Sequence, residues 1–354
     1  MYGGKNTLIR ASVDRREACS PDVILPKNSF FGSWYKPFGN TPITNRDFRT
    51  GRFWVILKPE TKPKTVKEDV TMEYAVLNNG VKMPMEGFGV FQIPDPAECE
   101  QAVLDAVASG YRMIDTAASY MNEEAVGKAI AKCGVPREEL FITTKLWVQD
   151  ASYEGAKAAI DRSLKNLGLQ YLDLYLIHQA MGDYAGAYRA MEEAYQEGKI
   201  RAIGVCNFYP HRLADFCETV DVIPAVNQVE LHPFFQQPEA LAVMKEYGIQ
   251  PEAWGPFAEG KHGIFTHPVL TAIGQKYGKS AAQVALRWNV DRGVAVIPKS
   301  VHKERMEQNL DIWDFRLSEE DMAEIAKLDI GHSEIIDHTS VKLMQMLHRR
   351  KIHD

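Results

Sequence analysis

From residue 73 onward, apolar and polar positions follow two alternating rhythms. Short apolar runs read as strands over 87–91, 111–115, 141–145, 172–178, 200–206, 225–229, 249–253 and 294–298. Between them lie stretches with the period of an amphipathic helix, over 96–109, 122–133, 153–167, 184–197, 210–219, 237–247 and 268–291. A further helix is predicted over 318–328, opened by Ser318-Glu319-Glu320-Asp321, a capping serine with acids in the first turn. Ahead of the first of these runs, 73–77 and 81–84 flank Asn78-Asn79-Gly80. Asn-Gly between short strands predicts a β-hairpin, because both residues tolerate positive φ.

Eight strands, each followed by helix, predict an α/β chain folded as a (β/α)8 TIM barrel over residues 71–354. The competing architecture is a doubly wound sheet, which binds a dinucleotide on a GxGxxG turn after its first strand. Here that turn reads Gly87-Phe88-Gly89-Val90-Phe91-Gln92 and lacks the third glycine. Both architectures bury their strands on two faces, so apolar content does not separate them. Residues 1–70 break the pattern: prolines recur (Pro21, Pro26, Pro37, Pro42, Pro59, Pro63) and no helical period is sustained. This segment carries 13 Lys and Arg against 7 Asp and Glu. It is predicted to be an irregular, poorly ordered extension. Its acids and missing amphipathic period argue against a transit peptide.

Composition narrows the function classes. The chain of 354 residues is 45% apolar and 25% charged, an ordinary globular balance. A net charge of -6 argues against a nucleic-acid partner, which needs a basic footprint. No apolar run has the length of a membrane span, and no secretory core opens the chain. The five cysteines (Cys19, Cys99, Cys133, Cys206, Cys217) form no CxxC pair. They read as free thiols in a reducing cytoplasm rather than as a disulfide framework or zinc site. The expectation is a cytoplasmic monomer without resident metal.

The predicted strand ends are polar in a particular way. The second ends in Asp115 with Tyr120 soon after, the third in Lys145, the fourth in His178, the fifth at Asn207 and the sixth at Gln228. Each alone has an ordinary structural role. A barrel, however, gathers its strand ends into one pocket at one face, where an acid, a phenol, an ammonium and an imidazole suit proton transfer.

At these residues the chain resembles the aldo-keto reductases, in particular the bacterial branch with 2,5-diketo-D-gluconate and methylglyoxal or glyoxal reductases. The matching motifs are Asn78-Asn-Gly-Val-Lys-Met-Pro, Gly110-Tyr-Arg-Met-Ile-Asp-Thr-Ala-Ala-Ser-Tyr120, Phe141-Ile-Thr-Thr-Lys145-Leu-Trp and Tyr171-Leu-Asp-Leu-Tyr-Leu-Ile-His178. They continue with Gly204-Val-Cys-Asn207-Phe, Asn227-Gln-Val-Glu-Leu-His-Pro and Val296-Ile-Pro-Lys299-Ser. The likeness spans about residues 73–354 and leaves 1–70 outside.

The resemblance implies NADPH-dependent reduction of small aldehydes or ketones, keto-sugar acids among them. Tyr120 would be the general acid, with Lys145 beside it to favour the phenolate. At ~4 Å and an effective dielectric of ~20 that attraction is about 4 kcal/mol, enough to lower a phenol by roughly three pKa units, with desolvation offsetting part of it. Asp115 would keep Lys145 charged, and His178 would orient the carbonyl oxygen. Asn207 and Gln228 match positions that bond the nicotinamide carboxamide, beside Cys206, and Trp254 matches a ring stacked on nicotinamide, followed by Gly255, Pro256 and Phe257. Lys299, Ser300 and Arg305, with Val301 and His302 between them, match the surroundings of the 2′-phosphate, where an arginine fork suits the anion. Gln308 and Asn309 match adenine contacts. Phe91, Trp147 and Gln179 are the substrate candidates, and the C-terminal tail around His338 and 341–347 is placed to close over them.

Four positions depart from the commoner family pattern: Cys206 for serine, Trp254 for tyrosine, Gln308 for glutamate, and Gln179 where an aromatic residue is frequent. Two other function classes compete with this reading. One is a non-catalytic NADPH-binding subunit, which the four intact catalytic positions disfavour. The other is a metal-dependent barrel hydrolase, which would need a His-x-His pair near the first strand, where the chain has none.

Overall fold

The structure is a computed structural model that describes residues 72–354. The extension expected over residues 1–70 lies outside the described residues.

The chain enters through the expected hairpin, β1 (Tyr74–Val76) against β2 (Lys82–Pro84), paired antiparallel with Ala75 opposite Met83. Its turn differs from a two-residue Asn-Gly turn. The Leu77 N–H meets Val81 O at 2.9 Å and the Gly80 N–H meets Leu77 O at 2.8 Å. The loop therefore has three residues, and the left-handed conformation falls on Gly80 alone (φ 85).

The barrel follows with strand and helix in turn, two helices preceding its last strand. Its first half runs β3 (Phe88–Gly89), α1 (Pro96–Ser109), β4 (Met113–Asp115), α2 (Glu123–Lys132), β5 (Phe141–Leu146), α3 (Tyr153–Leu167), β6 (Leu174–Ile177) and α4 (Tyr184–Gln196). The second half runs β7 (Ile203–Cys206), α5 (Pro210–Cys217), β8 (Val226–Glu230), α6 (Pro238–Glu246), β9 (Gln250–Trp254), α7 (Pro268–Tyr277), α8 (Ala281–Asp291) and β10 (Ala295–Val296). Every neighbouring pair from β3 to β10 is parallel. The ring closes where the Gly87 N–H donates to Val296 O at 2.8 Å and the Val296 N–H to Met85 O at 3.0 Å. A (β/α)8 barrel is thus the fold.

The predicted helix over 268–291 is two helices. Gly278 ends α7, and Ser280 starts α8 with a reciprocal cap: its N–H donates to Gln283 Oε1 at 2.9 Å. The Ser-x-x-Gln signal was in the sequence, hidden inside a continuous apolar period. Three helices follow the barrel: α9 (Lys303–Leu310), α10 (Glu319–Ala326) and α11 (Val341–Arg349). Of these only α10, capped by Ser318 through the Asp321 N–H, was read from the sequence.

Two apolar clusters share the strands by alternation. Outward residues such as Ile114, Ile142, Tyr175, Ile203 and Val229 pack under the helices. Inward residues Met113, Phe141, Leu174, Leu176, Val226 and Ala295 fill the barrel axis, where Leu77 and Met83 of the hairpin join them. The Asn78 and Asn79 amides fix the hairpin across this end, donating to Pro224 O at 3.1 Å and Arg201 O at 2.9 Å. One end of the barrel is plugged, so the polar strand ends open only at the other.

A close approach elsewhere in this packing offers a test. A Cβ on Gly127 in α2 would sit 2.4 Å from the carbonyl oxygen of Leu167 at the end of α3. That contact is backbone and cannot rotate away. Gly127→Ala is therefore expected to lose about 1–3 kcal/mol of stability despite its better helix propensity. Urea unfolding checks this, and an unchanged midpoint goes against the packing described.

Candidate active site

Parallel strands paired in register deliver their last side chains to one level. Asp115 ends β4, Lys145 lies one residue from the end of β5, and His178 follows β6. Cys206 ends β7, Gln228 lies in β8, and Trp254 ends β9. Tyr120 comes from the single turn of 3-10 helix Ala118–Tyr120 after β4.

The centre is a buried ion pair. Lys145 Nζ donates to Asp115 Oδ1 at 2.5 Å and to the Thr116 carbonyl at 2.9 Å. It also lies 3.4 Å from the Tyr120 hydroxyl. Lys145 is 0% and Asp115 1% exposed, so each charge needs its partner. Burial opposes the ammonium, yet Asp115 and the phenol oxygen hold its pKa above the ordinary lysine value.

The phenol behaves differently from the sequence expectation. Burial raises the Tyr120 pKa above its ordinary value; Lys145 lowers it, and Asp115 raises it again. The net direction is up, because burial outweighs the Lys145 charge, part of which Asp115 offsets. At rest Tyr120 is a fully protonated phenol. Lys145 is the cation within reach of its hydroxyl.

His178 packs edge-on against Tyr120, ring centroids 5.6 Å apart, and against Trp147 at 5.4 Å. Burial, then Lys145, His338 and Arg350, push its pKa well below the ordinary histidine value, so the ring is neutral near pH 7. Ser119 Oγ lies 3.2 Å from its Nδ1. If the serine hydroxyl donates, the ring proton sits on Nε2, free for an acceptor in the cavity. Ser119 stands inside a motif read from the sequence, but nothing there assigned it this task.

A second network underlies the first. Gln228 Nε2 donates to Asp115 Oδ2 at 2.9 Å and to Glu252 Oε2 at 2.7 Å. Both amide hydrogens are thus taken, and Gln228 Oε1 has only the Cys206 thiol at 3.8 Å. Glu252, on β9, is 0% exposed. Burial first and Asp115 second push its carboxyl up to about 8, against the opposing Gln228 bond and Lys145 charge. Sequence reasoning missed it, because Gln-Pro-Glu-Ala-Trp reads as an ordinary strand. Asn207 holds a left-handed backbone (φ 62), a conformation asparagine tolerates. It ties three strand ends, donating to His178 O at 3.1 Å and accepting from Trp254 Nε1 at 2.9 Å.

These groups border a cavity of about 650 Å³. Of the predicted residues, Asp115, Tyr120, His178, Cys206, Asn207, Gln228, Trp254, Gly255, Pro256, Phe257 and Lys299 line it, as do Phe91, Trp147 and Gln179. Lys145 lies just beneath. Ser300, Val301, His302, Arg305, Gln308 and Asn309 are not in its lining. Ser300 Oγ accepts from the His302 N–H at 3.0 Å, Arg305 is exposed on the first turn of α9, and Asn309 is buried beside Tyr111. The tail forms part of the wall: Ile335, Ile336, His338, Met346, Leu347 and Arg350 line the cavity. Leu347 packs with Trp147, Val148 and Met181.

Comparison with known proteins places this geometry. Residues 87–330 match the model of the Aldo/keto reductase family. The glyoxal reductase of Bacillus subtilis is 48% identical over 268 residues, covering 75% of this chain and 95% of the relative. The methylglyoxal reductase of Escherichia coli is 46% identical over 258 residues, covering 72% of this chain and 93% of the relative. Among solved structures, an aldo-keto reductase of Bombyx mori in complex with NADP superposes with a TM-score of 0.72 at 37% identity. That match covers 75% of this chain and 95% of the other.

The raised Glu252 carboxyl has a consequence for stability. The folded protein keeps a proton that the unfolded chain releases between the ordinary value of 4.5 and about 8. This contribution is fully present below the unfolded value and is lost as pH rises through the folded one. Glu252→Gln has no such proton. Its melting temperature relative to wild type is expected to rise between about pH 6 and about pH 9. Thermal unfolding at both pH values measures this; a pH-independent difference would mean that Glu252 is ionised throughout.

Proposed function

This chain belongs to the Aldo/keto reductase family, and we propose that it reduces small aldehydes and ketones to alcohols with NADPH, Tyr120 giving the proton. The observation that carries the reading is the phenol held 3.4 Å from a buried ammonium at the cavity floor, with a neutral imidazole beside it. We place the catalytic unit in residues 71–354 and take the protein as a cytoplasmic monomer.

The residues present fit a nicotinamide dinucleotide. Gln228 Oε1 is an acceptor with only a thiol for a partner, suited to a carboxamide N–H. Trp254 borders the cavity with an apolar face, and Lys299 supplies a cation at its edge. Arg305, four residues after Val301 and open to solvent, suits a phosphate on the adenosine ribose. When bound, NADPH supplies a hydride, two electrons and one hydrogen, to the carbonyl carbon. The B. mori aldo-keto reductase solved in complex with NADP supports this choice of cofactor.

The chain's own residues do the rest. His178 Nε2–H is placed to donate to the substrate oxygen and polarise it. As that oxygen gains electrons it takes the Tyr120 proton, leaving a phenolate beside Lys145. At an effective dielectric of ~20 a full charge pair at that spacing is worth about 5 kcal/mol, part of it already shared with Asp115. Phe91, Trp147 and Leu347 keep water from the reacting carbon. The names of the two bacterial relatives favour reactive 2-oxoaldehydes as substrates.

Two measurements follow. Tyr120→Phe is expected to lower kcat at least about a hundredfold with methylglyoxal while NADPH affinity, read by fluorescence quenching, holds; near-normal turnover would remove Tyr120 as the donor. Arg305→Ala is expected to weaken NADPH about tenfold or more and leave NADH nearly unchanged. Equal losses for both cofactors would take Arg305 away from the 2′-phosphate.

A further inference from the structure

Once the polar groups of the floor have tasks, one charged group on the cavity wall has none. Arg350 is the C-cap residue of α11 and borders the cavity beside Met346 and Leu347. No carboxylate lies within 4.0 Å of its guanidinium among the described residues. Of its five N–H donors, one bond goes to protein: Nη2 donates to the Ser119 carbonyl at 3.1 Å. The guanidinium carbon lies 5.7 Å from the Trp147 ring centroid.

The chain around Arg350 is fixed in place. Trp147 Nε1 donates to the Arg350 carbonyl at 2.8 Å. Gln149 Oε1 accepts from the Ile352 N–H at 2.8 Å, and its amide donates to His353 O at 2.9 Å. His353 Nε2 lies 3.0 Å from both oxygens of Asp150. These bonds join the tail to the loop after β5 and fix the Arg350 backbone, while its exposed side chain is held to the wall by the Ser119 bond.

That point adjoins the reacting groups. Ser119, whose carbonyl Arg350 meets, precedes Tyr120 and has its hydroxyl 3.2 Å from His178 Nδ1. The other ionisable groups on the wall are otherwise engaged. Asp115 is neutralised by Lys145, and Lys299 is assigned to the cofactor. Glu259 meets the Gln92 amide at 3.5 Å, on the side of the rim where the loops after β3 and β9 meet. His338 lies 3.3 Å from the Tyr209 hydroxyl, and burial keeps its pKa low. An unpaired planar cation beside a proton donor matches one kind of substrate group, a carboxylate.

We propose that Arg350 is a specificity-determining residue that selects carbonyl compounds bearing a carboxylate, holding that group while the carbonyl meets Tyr120 and His178. The proposal rests on the reductase reading above. It assigns the guanidinium to substrate, where the fold alone would give it only the Ser119 contact. Aldehydes of the same size without charge lack this anchor and are the poorer substrates.

The test compares pairs of matched size on the full chain: glyoxylate with methylglyoxal, 4-oxobutanoate with butanal, and 4-carboxybenzaldehyde with 4-methylbenzaldehyde. Wild type is expected to prefer the acid in at least one pair by about tenfold or more in kcat/KM, and added salt narrows the margin. Arg350→Met and Arg350→Gln are expected to cut that ratio about tenfold, the size of one lost charge-assisted hydrogen bond. Gln retains an N–H for the Ser119 carbonyl, so a structural role alone would spare R350Q, whereas R350K keeps part of the preference. Benzoate binding to the NADP-loaded protein, followed by calorimetry, should weaken about tenfold in R350M. No acid preference in any pair, or a ratio and benzoate affinity unmoved by R350M and R350Q, overturns the proposal. If no carbonyl compound is reduced at all, the reductase reading fails, and the benzoate titration still decides Arg350.

Discussion

The structure is organised around an ammonium that has no water. Lys145 sits inside a closed barrel, and its charge is kept there by Asp115 at 2.5 Å and the Thr116 carbonyl at 2.9 Å. The pair then constrains its neighbours. The second Asp115 oxygen needs a donor and takes one hydrogen of the Gln228 amide. The other amide hydrogen meets Glu252, which, with a negative Asp115 close by, keeps its own proton up to about 8. One cation, one anion and one neutral acid share a volume that an apolar core would fill at no cost in stability. Buried pairs of this kind are seldom retained for stability alone, which points to chemistry.

The barrel makes this arrangement possible by closing one end and opening the other. Leu77 and Met83 plug the axis below, and parallel strands of matched register raise the polar ends to one level. The open end would be wet without a cover. Leu347 of α11, packed on Trp147, Val148 and Met181, supplies part of one. Trp147 thus serves both sides: its ring packs edge-on against His178, and its indole N–H holds the tail through Arg350 O.

Much of this was legible in the sequence, for reasons that can be named. The alternation of strand and helix is a local signal, repeated eight times, and it gave the barrel. Asp115, Lys145, His178 and Gln228 were legible because they are polar residues at the ends of apolar runs, where a barrel uses them. The residues missed depend on distant partners. Glu252 owes its state to Asp115 and Gln228 on other strands, and Arg350 owes its place to Ser119 and Trp147 more than two hundred positions earlier. The helix α9 is mostly polar and buries one apolar residue, Met306, so it carries little period; α11 is amphipathic, but over only nine residues of the tail. The break at Gly278 was masked because both sides of it face the same core.

The direction of the Tyr120 pKa changes how the site is understood. The sequence alone suggested a phenol made acidic by its lysine. In the folded protein burial prevails and the resting phenol holds its proton more firmly than free tyrosine does. In the proton-donor role proposed above Tyr120 benefits from this, because it is fully loaded before substrate arrives. In that role the ammonium matters at one moment, when negative charge appears on the phenol oxygen 3.4 Å away. An interaction that strengthens only as charge develops lowers a barrier without lowering the ground state, which is the condition for raising a rate rather than an affinity. Asp115 tempers its size: it keeps Lys145 charged and offsets part of that charge at the phenol, which burial keeps neutral at rest.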